Sequence, residues 1–465
     1  MRKTPLRSSL FAFRSSLFAL VLSLFAMLFT GTIPAQQKTT VPAKPPATAV
    51  LGPSKPVAIT GGKLLTITHG TIDNGVLVIE IGKIAAVGAA GSVKVPANAQ
   101  VVDAKGMTVY PGLIDSETHL GLTEIEADKM TNDLVETSDE IMPHMHVSDA
   151  FHAETVLIPV TRYNGITNAI VAPESRDTLP GQDSFIQLAG ADATQMLLIR
   201  DIAMPLNFTG TQRRNESFAN AQYPQTRMGM AAQMRQAFTD AQGYAAKWDE
   251  YTKKKASTKA GETPPSPPAR DLKLEALLPY LEGKKPVIVR AETPNDVETA
   301  YALAQEFKLR VTLNGLTQSQ SIYDKIAQWK VPVILGSIYG EPKEWERYDT
   351  VYKMPGELSK RGVKIAFASF DAHQVRNLPY AAGFAVAFGL PYDEALKALT
   401  LYPAQIWGVD DQLGSLDVGK TANVVIANGD PLDVKTDVKY VFIQGKSLPM
   451  VDRQTELRDR YSSRP

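Results

Sequence analysis

The stretch Tyr110-Pro-Gly-Leu-Ile-Asp-Ser-Glu-Thr-His-Leu120 decides the fold class, because it opens a long alternation of strand-like and helix-like segments. Helix-like segments such as 294–306, 319–329 and 392–400 separate most of the strand candidates. Strands that alternate with helices over about 250 residues predict an α/β fold, a (β/α)8 TIM barrel. The eight predicted strands are 108–115, 166–172, 184–188, 195–202, 286–291, 309–314, 332–336 and 364–369.

An open doubly wound sheet is the alternative architecture. Such folds commonly contain a Gly-rich phosphate loop, or a G-x-S-x-G turn when they are serine hydrolases. The sequence has no G-x-S-x-G turn, and no Gly-rich loop joins a predicted strand to a predicted helix, so the barrel is the favoured prediction.

Short β-type runs flank the predicted barrel (109–405) on both sides. The segments 56–108 and 406–448 each hold too few strands to bury a core alone, so we expect them to form one small β-sandwich domain together. Residues 203–275 interrupt the barrel as an insertion with a long helix and a Pro-rich loop, and 449–465 form a tail.

Composition excludes several classes of protein. The 465 residues include 49 Lys and Arg against 49 Asp and Glu, so there is no basic excess of the kind that nucleic-acid binding requires. There is no cysteine, which excludes disulfides, thiolate nucleophiles and cysteine zinc sites. Any metal must therefore be held by carboxylates and by the six histidines.

The first 35 residues have the pattern of a secretory signal peptide. Four basic residues precede an apolar run of about 15 residues, and small residues follow up to Ala35. Residues 36–55, rich in Pro and Ala, are typical of a linker. We expect cleavage near Ala35 and export to the periplasm.

The stretch at 110–120 resembles the first barrel strand of the amidohydrolase superfamily, whose pattern is P-G-L-I-D-x-H-x-H. The segment Gly362-Val-Lys-Ile-Ala-Phe-Ala-Ser-Phe-Asp371 is similar to that family's eighth strand, which ends in Asp. Leu401-Tyr-Pro-Ala and 413–420 are similar to its connection back to the small sheet. Within the superfamily the chain is most similar to the imidazolonepropionase-like branch. The resemblance implies metal-assisted hydrolysis of a C–N bond, in an amide or cyclic amide other than a peptide bond.

The sequence departs from the family's metal-binding pattern. Glu117 stands where the first His is expected, Arg290 stands near the fifth-strand His, and Asn314 replaces the sixth-strand His. Only His119 and Asp371 keep the family's residue types. Because a guanidinium repels a divalent ion, we expect at most one zinc-like metal and no binuclear site.

The resemblance implies a set of candidate site residues. Asp371 is the expected catalytic residue. The expected metal ligands are Glu117, His119 and Asp371. The alternative pair is His144 and His146 in Met142-Pro-His-Met-His146, although a lone H-x-H more often caps or packs a loop. The expected substrate-binding residues are Arg290, Asn314, His373, Arg376 and Asn377.

Two functions follow from this reading. The first is an exported amidohydrolase-like enzyme with one metal ion and a small-molecule substrate. The second is a catalytically degenerate barrel that binds a ligand, forms a homo-oligomer or pairs with an intact homologue as a scaffold. The number of metal ligands separates the two hypotheses.

Overall fold

The computed structural model describes residues 55–208, 223–224, 226–336, 338 and 347–462. The predicted signal peptide, the linker up to residue 54, residues 209–222 of the predicted insertion and residues 463–465 of the tail lie outside the described residues. No helix within the described ranges has both the length and the hydropathy needed to cross a bilayer.

Strands from the two ends of the chain pair in one sheet. Its order is β16-β15-β14-β5-β1-β2-β3, and β4 pairs with β1. The antiparallel pairing of β14 with β5 joins the two ends. The strands form one hydrogen-bonded sheet, and a sandwich of two sheets is not shown. They are β1 (Val57–Leu65), β2 (Thr71–Glu80), β3 (Lys83–Ala89), β4 (Gln100–Asp103), β5 (Thr108–Pro111), β14 (Val424–Ala427), β15 (Val438–Ile443) and β16 (Lys446–Ser447).

A second sheet of eight strands forms a nearly closed barrel, in the order β13 to β6. All eight strands predicted between 108 and 369 are present; the first, 108–115, is divided between β5 of the small sheet and β6. Strands such as β10 are buried at every position, as expected for a sheet with helices outside and side chains inside. The barrel strands are β6 (Leu113–Thr118), β7 (Ile166–Val171), β8 (Asp183–Gln187), β9 (Leu197–Asn207), β10 (Pro286–Ala291), β11 (Arg310–Gly315), β12 (Val333–Leu335) and β13 (Ile365–Phe367).

One barrel strand runs in the opposite direction from the others. β8 pairs antiparallel with both β7 and β9, whereas the remaining neighbours pair in parallel. A parallel pair needs a crossover, usually a helix, but no helix lies between β7 and β8 in this described part of the chain. The prediction of a regular strand–helix alternation is therefore wrong for the third strand. The predicted insertion also starts too early, since residues 203–207 belong to β9.

Helices surround the barrel, and helices also occur within the predicted insertion and the predicted tail. The longest, α3, confirms the long helix expected in the insertion. The described α-helices are α1 (Leu157–Arg162), α2 (Ala193–Met196), α3 (Arg227–Ser257), α4 (Leu272–Leu281), α5 (Pro294–Glu306), α6 (Tyr323–Trp329), α7 (Thr350–Lys360), α8 (Leu378–Ala387), α9 (Tyr392–Leu399), α10 (Leu401–Trp407) and α11 (Arg453–Ser462). Short 3-10 helices span Lys129–Thr131, Val147–Asp149, Gln320–Ile322 and Val375–Asn377.

Candidate functional site

A buried ion pair lies where the barrel strands end. Arg290 of β10 and Asn314 of β11 are register partners, so their side chains lie next to each other. One oxygen of the Glu117 carboxylate accepts a hydrogen bond from Arg290 Nη2, and the other accepts one from Asn314 Nδ2. Glu117 is fully buried, and Arg290 and Asn314 are almost so. Both carboxylate oxygens are therefore engaged.

Further hydrogen bonds fix the guanidinium of Arg290. Nη1 donates to Asn207 Oδ1 at 3.3 Å, and Nη2 also donates to the Pro173 carbonyl at 3.2 Å. Asn207 is itself held by a 2.6 Å bond from Nδ2 to the Asp177 carbonyl. Burial raises the pKa of Glu117 above its ordinary value, and the positive charge of Arg290 opposes that rise. We infer that Glu117 stays ionised as the partner of Arg290.

His119 lies beside this pair with a defined tautomer. Its Nδ1 is 2.8 Å from the Ala172 carbonyl, which can only accept, so Nδ1 carries the proton and Nε2 is unprotonated. Burial lowers the pKa of His119 from 6.5 to about 4. The imidazole is therefore neutral at physiological pH.

We expect His119 to remain neutral as the pH falls from 7 to 5. Because its folded pKa is depressed, the stability that it contributes is present above its unfolded pKa near 6.5 and is lost as the pH falls through about 4. NMR of the ring nitrogens should show a midpoint near pH 4, with the signal assigned by its loss in His119→Asn. A midpoint above pH 6 would contradict the buried placement.

Two buried aspartates were not predicted as part of the site. Neither oxygen of Asp183, on β8, has a hydrogen-bond partner among the described residues. Burial raises the pKa of Asp183 well above its ordinary value, and the negative charge of Glu117 adds to the effect. Burial also raises the pKa of Asp115 to about 7. No sequence pattern marks Asp183; Asp115 lies within the first-strand motif.

Asp371 follows β13 and lines a cavity at the barrel mouth. Its Oδ1 accepts hydrogen bonds from the backbone N–H groups of His373, at 2.5 Å, and Gln374, at 2.9 Å. Its backbone carbonyl accepts hydrogen bonds from the Thr118 hydroxyl and from His119 N–H at the end of β6. The negative charge of its carboxylate also acts on His119, opposing the fall of that residue's pKa. One carboxylate oxygen of Asp371 thus caps its own turn.

The predicted substrate-binding residues do not all line one cavity. His373 Nε2 lies 2.9 Å from the Glu124 carbonyl. Asn377 lines a cavity together with Asp371, whereas Arg376 is absent from the described linings of both cavities at the mouth. Arg290 and Asn314 are therefore the only two of the five that line the same cavity as His119.

The alternative histidines lie away from the mouth. His146 Nδ1 is 2.6 Å from Asp201 Oδ1, and His144 and Lys285 line the same cavity of about 240 Å³. Asp201 precedes the last residue of β9, Asn207, by six positions, which corresponds to about 20 Å along an extended strand. His144 and His146 therefore cannot share a metal with Glu117.

The family's metal does not fit the residues present. No group of three or more His, Asp and Glu side chains that could hold a metal ion occurs in the described part of the chain. In the described part of the chain, Glu117, His119 and Asp371 do not form such a group, and both oxygens of Glu117 are bonded to Arg290 and Asn314. Arg290 adds a positive charge where a cation would bind. We therefore derive no reaction step through a metal.

Two neighbouring cavities open at the barrel mouth. The mouth pocket, of about 320 Å³, is lined by Glu117, His119, Glu174, Ser175, Arg290, Glu292, Asn314, Gly315, Thr317, Gly336 and Phe370. The side pocket, of about 280 Å³, is lined by Ala368, Ser369, Phe370, Asp371, Gln374, Asn377, Leu378 and Ala381.

The charge of the mouth pocket follows from its ion pairs. Glu117 and Arg290 neutralise each other, and His119 is neutral. Glu174 and Glu292 have no ion-pair partner among the described residues, although Glu292 Oε2 accepts a hydrogen bond from Thr317 N–H at 3.1 Å. The pocket therefore suits a neutral or positively charged ligand better than an anion.

A family model and a solved structure that resemble this chain are both described as amidohydrolases. The model of the amidohydrolase family matches residues 349–448. A crystal structure of an amidohydrolase from Thermotoga maritima MSB8 superposes with a TM-score of 0.76 and 26% identity, and covers 85% of this chain and 100% of that one.

Two curated proteins also align with the chain. Amidohydrolase tasK of Hapsidospora irregularis is 25% identical over 373 residues, 76% of this chain. N-acetylglucosamine-6-phosphate deacetylase of Caenorhabditis elegans is 34% identical over 86 residues, 18% of this chain. The alignments span 37% and 19% of the length of these two relatives, respectively.

Proposed function

Because this chain belongs to the amidohydrolase superfamily, we propose that its mouth pocket recognises a small molecule with an amide-type C–N bond, and that it does so without a bound metal ion. The observation that carries this proposal is the buried Glu117–Arg290 pair. With Asn314, the pair uses both oxygens of the carboxylate that would otherwise ligate a metal. Amidohydrolases usually use metal ions, so this chain combines the family's fold with an altered mouth.

The size and lining of the mouth pocket support binding of a small ligand. Its volume of about 320 Å³ lies at the lower end of the range for small-molecule sites. An amide offers one N–H donor and one carbonyl acceptor. Glu292 and the unprotonated Nε2 of His119 can accept from the N–H, and the Thr317 hydroxyl is a polar group within the same lining.

Hydrolysis of the bound amide is the second candidate function. The structural likeness to the Thermotoga maritima amidohydrolase over that protein's full length favours it. Without a metal, the groups of the mouth pocket that could take a proton from water include His119, Glu174 and Glu292. A general base works best with a pKa near the operating pH, and the pKa of His119 is lowered to about 4. His119 is therefore a weak base at neutral pH, and we place recognition ahead of hydrolysis.

Binding of N-methylacetamide by ligand-detected NMR tests the proposed function. We expect millimolar binding to the full chain and a loss of about tenfold in His119→Leu, because one polar group of the pocket is removed. The matched control is His69→Leu, since His69 lies in the turn between β1 and β2 with its side chain 72% exposed. Equal binding to both variants would contradict the proposal. Release of methylamine that is abolished in His119→Leu would instead support hydrolysis.

A further inference from the structure

Phe370 has a strained backbone at the barrel mouth. Its φ angle is +49°, in the left-handed region that bulky residues avoid because Cβ crowds the carbonyl oxygen. Strain of this kind persists only where the surroundings over-determine it, and it is common at ligand-binding sites. The conformation therefore needs a local cause.

Hydrogen bonds on either side hold the strained residue in place. The Phe370 N–H donates to the Glu117 carbonyl at 3.0 Å, and the preceding Ser369 N–H donates to Asp115 Oδ1 at 3.1 Å. Both acceptors belong to β6. These bonds join the end of β13 to β6, where the barrel closes, and they fix the direction of the phenyl ring.

The ring of Phe370 lies against the backbone of Gly336, which follows β12. A Cβ atom at position 336 would come within 2.1 Å of Cε2 and 2.2 Å of Cδ2 of the ring. Only glycine leaves room for the ring there. A strained Phe370 and a Gly336 without a side chain thus together keep one aromatic ring in one place.

That ring forms the boundary between two cavities of different chemistry. Phe370 lines both the mouth pocket and the side pocket. The mouth pocket contains the ion pair, His119 and two further carboxylates, whereas the side pocket has an apolar wall of Ala368, Leu378 and Ala381.

We propose that Phe370 is a specificity-determining residue that limits the size of the apolar substituent on the ligand. The ligand class is a small amide whose polar group occupies the mouth pocket and whose substituent extends toward the side pocket. This inference rests on the proposed function, because it assumes an amide in the mouth pocket. Removal of the ring would join the two pockets and admit a bulkier substituent.

Two amide probes test this inference in two variants, each of which should open the boundary between the pockets. The probes are N-methylacetamide and N-(2-phenylethyl)acetamide, titrated against the full chain. Phe370→Ala removes the ring, whereas Gly336→Ala keeps it and displaces it with a Cβ. The matched control is Gly243→Ala in α3, where a Cβ meets nothing within 4 Å. A thermal melt shows whether each variant is folded. If only one of the two variants folds, that variant alone still tests the inference.

We expect Phe370→Ala and Gly336→Ala to raise the affinity for the phenylethyl probe, relative to the affinity for N-methylacetamide, about tenfold over the wild-type ratio. Gly243→Ala should match the wild type. Wild-type affinities for both probes in both folded variants would overturn the role of Phe370 and leave the proposed function standing. If no variant and no wild-type protein binds either probe, the proposed function fails, and this inference fails with it.

Discussion

Replacing Arg290 by methionine is expected to lower the free energy of unfolding by about 3–5 kcal/mol. Arg290 neutralises Glu117, which is fully buried. Without the guanidinium, Glu117 would remain as an uncompensated charge in the barrel or would have to take up a proton. Methionine has a similar length and no polar atom to pair, so packing changes little and the lost ion pair dominates. Denaturant unfolding monitored by circular dichroism measures the change.

A matched control and a double variant distinguish the loss of the ion pair from the effect of replacing any arginine by methionine. Arg310 begins β11, is exposed, and should tolerate methionine within about 0.5 kcal/mol. Adding Glu117→Gln to Arg290→Met removes the orphaned charge and should recover a large part of the lost stability. If Arg290→Met and Arg310→Met unfold at the same denaturant concentration, the ion pair does not stabilise the barrel.

The double substitution Arg290→His with Asn314→His is expected to strengthen zinc binding by roughly a hundredfold or more, equivalent to about 3 kcal/mol. It supplies two imidazoles beside Glu117 and His119, and imidazole nitrogen and carboxylate oxygen are ordinary zinc ligands. It also removes the positive charge that competes with a metal for Glu117. Isothermal titration of zinc into metal-free protein measures the affinity.

The increase in zinc affinity should depend on His119, which would remain as a ligand in the double variant. Adding His119→Ala to the double variant removes one ligand and should reverse much of the increase. If the double variant binds zinc no more tightly than the wild type, the positions of Arg290 and Asn314 do not correspond to metal-ligand positions.

Much of the mouth pocket could be predicted from the sequence. Glu117, Arg290 and Asn314 lie at the ends of strands that run in the same direction, and such ends meet at one face of a barrel. Their charges alone leave both Glu117 and Asp371 open as the partner of Arg290. Strand order was therefore sufficient to bring these three positions together, but not to assign the ion pair.

Other features could not be predicted, for identifiable physical reasons. Whether an Asp at a strand end points into the barrel or caps its own turn depends on backbone angles, and Asp371 caps its turn. The reversed direction of β8 follows from a connection without a helix, which sequence periodicity does not distinguish from a short crossover. Asp183 is on that reversed strand, so its burial near Glu117 had no sequence signal.

The metal content of the purified wild-type chain tests the central claim most directly. The protein would be produced in zinc-supplemented medium, dialysed without chelator and measured by elemental analysis. Because Arg290 and Asn314 occupy both oxygens of Glu117, we predict well below one tightly held divalent ion per chain. Two tightly held zinc ions per chain would contradict this account and would favour an active metal-dependent hydrolase.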